Sequence, residues 1–303
     1  MAGPITTGAH PKALWPGIHA WFGRQYDEHA EEYVDLFDIE TSDKAYEEDV
    51  EITGFGLAPV KPETGSISYD SETQGLVARY THVAYALGYI VSYEELRDNL
   101  YEIVSKRRAQ AIAFSMRQTQ ENVCANVYNR GFNPLYPMPD GTTLLANDHP
   151  TLSGNQSNLL TTAADLSETA IEDLVIQIMG TQNSRGLQVS NMPMSLHIPR
   201  QYWFEANRIL FSVLQNDTAN NAVNVLRANG TFPRGIKMNH YFSSASAWFI
   251  RTNIPHGMTY FNREASTFDT DNDFDTKNAR AAAYMRFSCG VTDFRSIFGT
   301  PGV

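Results

Sequence analysis

One stretch of the chain decides the fold, Glu47 to Arg130: EEDVEITGFGLAPVKPETGSISYDSETQGLVARYTHVAYALGYIVSYEELRDNLYEIVSKRRAQAIAFSMRQTQENVCANVYNR. It contains two runs in which apolar and polar residues alternate, separated by a segment rich in Pro, Gly and Ser, Ala58–Gly75. Alternation with a period of two is typical of half-buried strands. A helical pattern follows directly. The stretch therefore predicts a long hairpin that leads into a single long helix.

The hairpin is predicted to pair Glu47–Val60 with Val77–Val91. Its tip, Pro59–Gly65, cannot pair regularly because proline has no amide donor and glycine loosens the backbone. Lys61 lies within this tip and is expected to be a solubilising residue. Because little of the chain itself is placed to cover the apolar residues of the hairpin, we expect the hairpin to contact a neighbouring subunit.

Ser92 and Glu95 form a capping-box pattern that begins the predicted helix. If the helix extends to Tyr128, it is ~55 Å long at ~1.5 Å per residue. Its apolar face is predicted to consist of Leu96, Leu100, Ile103, Val104, Ala111 and Phe114. This face weakens after Met116, so we expect the far half of the helix to lie on a surface rather than inside a core.

Two clusters of opposite charge belong to the hairpin and the helix. The acidic cluster is Glu47, Glu48, Asp49 and Glu51, and the basic cluster is Lys106, Arg107 and Arg108. They are either two solvated patches or partners that pair within one subunit or between neighbours. We favour pairing, although one exposed ion pair contributes only ~0–1 kcal/mol.

The segment before the hairpin is predicted to be an N-terminal arm. Aromatic residues at helical spacing predict an amphipathic helix from about Gly23 to Phe37, followed by an extended acidic segment, Asp38–Asp49. The residues proposed for contact with other subunits are Phe22, Tyr26, Tyr33 and Phe37 in the arm and Glu47, Glu48, Asp49, Lys61 and Tyr69 in the hairpin.

The remainder of the chain alternates helices and strands, which indicates the α+β class. A second helix is predicted behind a capping box formed by Thr169 and Glu172. A strand at Met194–Ile198 and a third helix through Trp203–Leu210 follow. A long strand-like run, Ala279–Phe298, ends the pattern.

Composition limits the classes of function. The chain has 303 residues, a net charge of −11 and a pI of about 5.2, which argues against tight binding of nucleic acid but not against a shell that encloses DNA. Cys124 and Cys289 are too few for a disulfide framework and are expected to be buried free thiols. No apolar run approaches the ~20 residues of a membrane span and no signal peptide is visible, so we expect a soluble intracellular product.

The sequence predicts no catalytic, cofactor-binding or metal-binding residues. The eight histidines lack zinc-site spacing. Asp269, Asp271, Asp273 and Asp275 resemble half of a calcium loop, but Phe274 and Arg280 occupy positions that need Gly and Glu. A solvated turn is therefore expected there.

The order of elements and several short motifs resemble the major capsid proteins of tailed bacteriophages, which have the Hong Kong 97-type fold. The motifs are Pro16-Gly17-Ile18, Lys44-Ala45-Tyr46-Glu47-Glu48-Asp49, Gly54-Phe55-Gly56, Tyr89-Ile90-Val91-Ser92-Tyr93-Glu94-Glu95, Leu196-His197-Ile198-Pro199 and Tyr284-Met285-Arg286-Phe287-Ser288-Cys289-Gly290.

The resemblance implies a subunit that self-assembles through hexamers and pentamers into an icosahedral shell around the phage genome. It implies an N-terminal arm (1–46), an extended loop across the neighbour (47–83), a peripheral domain with a spine helix (84–166 and 262–303) and an axial domain (167–261). It also implies virion localisation after assembly in the host cytoplasm. The expected partners are a separate scaffolding protein, a portal and a decoration protein.

Two alternatives remain open at this point. An encapsulin-like nanocompartment would use the same fold around a cargo enzyme, and a soluble α+β hydrolase would need a clustered acid, base and nucleophile. Some members of the resembled family join a loop lysine covalently to an asparagine of a neighbour. Lys61 could occupy that place, but no partner asparagine or activating glutamate is identified in the sequence.

Overall fold

The computed structural model describes residues 30–98, 102–215 and 222–303, without the side chains of 96–98 and 102–106. The chain forms two compact units: residues up to 46, 81–124 and 260–289 build the first, and 47–80, 125–259 and 290–303 build the second. Within the described ranges, no helix is long and apolar enough to span a membrane.

The described helices are α1 (Tyr33–Leu36), α2 (Tyr93–Asp98), α3 (Glu102–Asn129), α4 (Glu168–Met179), α5 (Trp203–Phe211) and α6 (Val225–Ala228). The strands are β1 (Asp38–Thr41), β2 (Tyr46–Ile52), β3 (Gln74–Thr81), β4 (Val83–Val91), β5 (His149–Thr151), β6 (Gly154–Gln156), β7 (Pro193–Pro199), β8 (Ile236–Asn239), β9 (Trp248–Thr252), β10 (Met258–Asn272), β11 (Ala279–Val291) and β12 (Ile297–Thr300). Short 3-10 turns lie at Arg200–Tyr202 and Phe294–Ser296.

The first unit contains a four-stranded sheet in the order β1-β10-β11-β4. Strands β11 and β4 are antiparallel, with Ala279 opposite Val91 and Phe287 opposite Val83. Alternate residues of β11, ending at Phe287, are buried, as the two-residue period of a strand requires. The predicted strand run from residue 279 is thus confirmed, but it ends at Val291 before the turn that leads to β12.

The returning arm of the predicted hairpin is two strands rather than one. β3 pairs with β2 in a two-stranded sheet, whereas β4 pairs with β11. His82 lies between them, buried, with its ring nitrogens 2.9 Å from Ser288 Oγ and 3.2 Å from Ser42 Oγ. The chain therefore changes sheets at a buried polar residue, and the paired part of the hairpin is shorter than predicted.

Helix α3 buries a different face from the one predicted. Ala111 and Phe114 are exposed, and the side chains of Leu96, Leu100, Ile103 and Val104 lie outside the described part of the chain. The buried face consists of Ala109, Ile112, Ala113, Met116, Arg117, Gln120, Glu121, Cys124, Ala125 and Tyr128. The far half of the helix is therefore core, and the expectation of a surface position was wrong. The residues that connect α2 to α3, 99–101, lie outside the described ranges, so the prediction of one continuous helix is not tested there.

The second unit is built on a sheet in the order β12-β9-β7-β8. Residues from this sheet and from α4 and α5 form one buried apolar cluster that includes Leu174, Leu196, Ile209 and Trp248. The predicted strand and third helix are confirmed. The cap of α4 is Ser167, which accepts a hydrogen bond from the amide of Ala170, rather than the predicted Thr169.

Candidate assembly surface

The hairpin, meaning β2, β3 and the connecting residues 53–73, exposes a row of large apolar side chains. Their exposed fractions are 66% for Ile52, 58% for Phe55, 82% for Leu57, 95% for Val60, 64% for Ile67 and 92% for Tyr69. Isolated exposed apolar residues are ordinary, but a concentration of this size marks an interaction surface. Lys61 is also exposed, beside Val60.

Thr53 and Thr73 form the last hydrogen-bonded pair beyond β2 and β3, and we call them the closing pair. The connecting residues continue from this pair. The amide and the hydroxyl of Thr53 donate to the carbonyl of Thr73 at 3.2 and 2.9 Å. The amide of Gly56 then donates to Asp70 Oδ2 at 2.8 Å. Hydrogen bonds from Gly56 and Ser71 lower the pKa of Asp70. A hydrogen bond therefore joins the two ends of the segment from Gly56 to Asp70, and the apolar side chains within the segment are exposed.

Two arginines of the second unit hold the hairpin on its own chain. Arg185 contacts Asp70 at 3.2 Å and donates to the carbonyl of Ser71. Arg295 lies 3.7 Å from Glu51, which also accepts a hydrogen bond from the hydroxyl of Ser184. The apolar row of the hairpin is therefore left uncovered by its own chain, as expected, whereas its acidic residues Glu51 and Asp70 have partners in the same chain.

Sequence reasoning missed both arginines. Arg185 lies in a turn, and 115 positions separate it from Asp70. Arg295 follows Asp293, to which it is joined at 3.2 Å, and it also donates to the carbonyl of Gln182 at 2.9 Å. No periodicity marks either residue, because both act through contacts that only the folded chain creates.

A cavity of about 180 Å³ lies at the base of the hairpin. Val50 and Leu76 of the two strands line it together with Met138, Pro139 and Phe294. The base of the hairpin is therefore only partly packed against the residues around it.

Three members of the two charge clusters, Glu48, Glu51 and Arg108, have other partners in the described chain. Arg108 contacts Glu95 at 2.6 Å, and the two side chains are only 12% and 1% exposed. Glu48 lies 3.7 Å from Arg79. Arg107 is exposed, and the side chain of Lys106 lies outside the described part of the chain. Pairing of the clusters between subunits stays a prediction.

The end of the N-terminal arm is part of the core of the first unit. Tyr33 and Phe37 are buried, and the Tyr33 ring centroid lies 4.8 Å from that of Tyr260. Because they are buried, these two residues pack inside their own unit, whereas they were expected to contact another subunit. Phe22 and Tyr26, and most of the predicted arm helix, lie outside the described residues; its described remainder is α1.

A buried carboxylate holds this end of the arm. The Glu121 carboxylate accepts hydrogen bonds from the backbone amides of Glu32 and Tyr33 at 3.0 and 2.9 Å. One turn earlier on α3, the buried Arg117 contacts Glu31 at 2.8 Å. These partners explain why polar residues occupy the core-facing side of α3.

Burial raises the pKa of Glu121 from 4.5 to about 7, although the two amides and Arg117 oppose this shift. Between these values the folded chain holds a proton that the unfolded chain has released, so the free energy of unfolding falls as pH rises. From about pH 5 to about pH 8, we expect a loss of roughly 2–3 kcal/mol from this group. Glu121→Gln should reduce that loss, as measured by urea unfolding at both pH values. An unchanged pH dependence in the variant would show that Glu121 is not its source.

The acidic alternation near the C-terminus ends β10 and forms the turn to β11. Asp273 accepts hydrogen bonds from Arg280 and, at 2.9 Å, from Thr276. In the described ranges, no group of three or more His, Cys, Asp or Glu residues could hold a metal ion.

Comparisons with known proteins point to one family. The family described as "Phage capsid protein" matches residues 76–299. A structure from Mycobacterium phage Patience is similar over 99% of this chain and 92% of its own, at 12% identity and a TM-score of 0.57. The capsid of a native GTA particle is similar over 90% of both chains, at 13% identity and a TM-score of 0.59.

A virus-like particle from Pyrococcus furiosus is also similar, over 93% of this chain and 97% of its own, at 10% identity and a TM-score of 0.51. At these identities the likeness is one of fold. No curated protein sequence matches the chain.

Proposed function

The chain belongs to the phage capsid protein family, and we propose that the hairpin is the element by which one copy binds the next in the icosahedral head shell. The chain has the predicted Hong Kong 97-type fold and is a major capsid protein. The family match favours this function over the encapsulin-like compartment and the hydrolase.

The exposed apolar row of the hairpin carries the proposal. Fully burying one large apolar side chain contributes ~1.5–3 kcal/mol, so full burial of six of them supplies roughly 9–18 kcal/mol per contact. Association costs roughly 4–15 kcal/mol, because the subunits lose translational and rotational freedom and the side chains in the contact become ordered. The hairpin contact alone is therefore of the size that offsets this cost, and repetition around a closed shell makes the assembly cooperative.

The polar contacts of the hairpin have a separate role in this proposal. Arg295 and Arg185 fix the direction in which the hairpin leaves its own subunit, while the apolar row stays available. Direction matters because a closed shell requires each contact to be made at a defined angle.

Arg185→Ala removes the contacts with Asp70 and Ser71. We expect the subunit to stay folded, because Asp70 is 46% exposed and a partly exposed ion pair of this kind contributes little to stability. We expect the shells to lose uniformity, which electron microscopy would reveal as mixed diameters and open forms. Arg208→Ala is the matched control, since it removes another exposed ion pair, with Glu205 at 3.0 Å. Equal proportions of regular shells from both variants would contradict the directing role.

Within the proposed shell, we assign residues 1–46 to an arm, 47–83 to the loop across the neighbour, 84–166 and 262–303 to the peripheral domain and 167–261 to the axial domain. Hexamers and pentamers of the chain form the shell. We propose a separate scaffolding protein, a portal and a decoration protein as partners, and assembly in the host cytoplasm. The net charge of −11 suits a shell that encloses DNA without binding its sequence. The proposal includes no catalytic step.

Expression of the chain with and without a candidate scaffolding protein, followed by electron microscopy, tests this function. Regular closed shells are expected in at least one condition. Compact, well-folded monomers in both conditions would overturn it.

A further inference from the structure

The far half of α3 packs on the sheet of the first unit in a fixed register. Gln120 Nε2 donates to the hydroxyl of Tyr260 at 2.7 Å. The ring of Tyr260 in turn stacks on that of Phe287, with centroids 5.3 Å apart. One helix face therefore meets the face of β10 and β11 that carries these two rings.

The two cysteines of the chain continue these two faces. Cys124 follows Gln120 by one helical turn, and Cys289 follows Phe287 by two positions on β11, so each points the same way as its predecessor. Cys289 Sγ lies 3.9 Å from the carbonyl oxygen of Val123, the residue directly before Cys124. Both are free cysteines in this structure.

We propose that Cys124 and Cys289 form a dithiol that closes to an intrachain disulfide when the protein meets an oxidising solution. Intracellular thiols are kept reduced, whereas disulfides form and persist outside the cell. The oxidant is a small disulfide such as oxidised glutathione. The inference does not depend on shell assembly, since both residues belong to one unit of one chain.

The exchange proceeds in two steps that balance. The Cys289 thiolate attacks the small disulfide, forms a mixed disulfide and releases one glutathione thiolate. The Cys124 thiolate then attacks the Cys289 sulfur, closes the protein disulfide and releases the second glutathione. The protein loses two protons and two electrons, and the small disulfide is reduced to two thiols.

Burial decides the order of these steps. Cys289 is half-buried and reachable, whereas Cys124 is fully buried. Burial raises the pKa of Cys124 well above its usual range, and Cys289 and Glu121 add to the shift. The second step is therefore the slow one and should accelerate as pH rises.

The test uses the full chain purified under reducing conditions and then incubated with oxidised glutathione. The number of free thiols per chain, titrated in denaturant, should fall from two to none. The intact mass should show the loss of two hydrogens and no glutathione adduct. A non-reducing gel should show a monomer.

Two single variants make the test decisive. Cys124→Ser should retain one glutathione on Cys289, because no second thiol resolves it, and Cys289→Ser should leave Cys124 unmodified. A stable glutathione adduct on Cys289 of the unmodified chain, disulfide-linked dimers or two intact thiols would each overturn the proposal.

Discussion

Removal of Pro59–Tyr69, with the ends joined by two glycines, should leave a folded subunit that forms no closed shells. The deletion keeps the closing pair of Thr53 and Thr73 and the contact of Asp70 with Arg185. It removes Val60, Ile67 and Tyr69, whose burial in a contact is worth on the order of 5 kcal/mol. At ~1.4 kcal/mol per tenfold, each contact weakens more than a thousandfold.

Sedimentation and electron microscopy measure shell formation in this variant, and urea unfolding measures the fold. Lys61→Ala is the matched control in the same segment, because it removes the charge and keeps the apolar row; it should assemble normally. Regular shells from the deletion would contradict the role assigned to the hairpin. An unfolded deletion variant would show that the segment belongs to the core of its own subunit.

Arg108→Ala should cost the isolated subunit about 3–5 kcal/mol of unfolding free energy. The Glu95 side chain is 1% exposed and lies 2.6 Å from Arg108, so the substitution leaves a buried carboxylate without its cation. Truncating one partner of a buried ion pair is costly because the remaining charge cannot regain water.

Arg107→Ala is the matched control for this prediction, since Arg107 is the neighbouring arginine and is exposed. We expect it to change stability by no more than ~0.5 kcal/mol. Urea unfolding of both variants gives the comparison. Equal effects would contradict the account of the Glu95 pair, and so would full stability of Arg108→Ala.

The sequence predicted elements whose signals are local. The Ser92 hydroxyl accepts a hydrogen bond from the backbone amide of Glu95 at 3.3 Å, as a capped helix start requires. A complete capping box would also have the Glu95 side chain accept a hydrogen bond from the backbone amide of Ser92. The Glu95 side chain binds Arg108 instead. The alternation after Val77 likewise predicted extended backbone correctly, yet a two-residue period carries no information about which strand is the partner. The change of sheet at His82 was for that reason invisible.

The errors on α3 have one physical cause. The apolar face was expected to weaken after Met116 because ionisable side chains, here Arg117 and Glu121, rarely enter a core unpaired. They are buried because Glu31 and the amides of Glu32 and Tyr33 satisfy them from almost ninety positions away. The contacts of Arg185 and Arg295 with the hairpin were missed for the same reason.

A photoreactive benzophenone side chain at Val60 tests the central claim most directly. Val60 is 95% exposed in the single chain, so the probe should not disturb the fold. If the hairpin binds the neighbouring copy, irradiated shells should contain covalently linked chains, while the same variant irradiated as free subunits should stay monomeric. Intact shells that yield no linked chains on irradiation would contradict the claim.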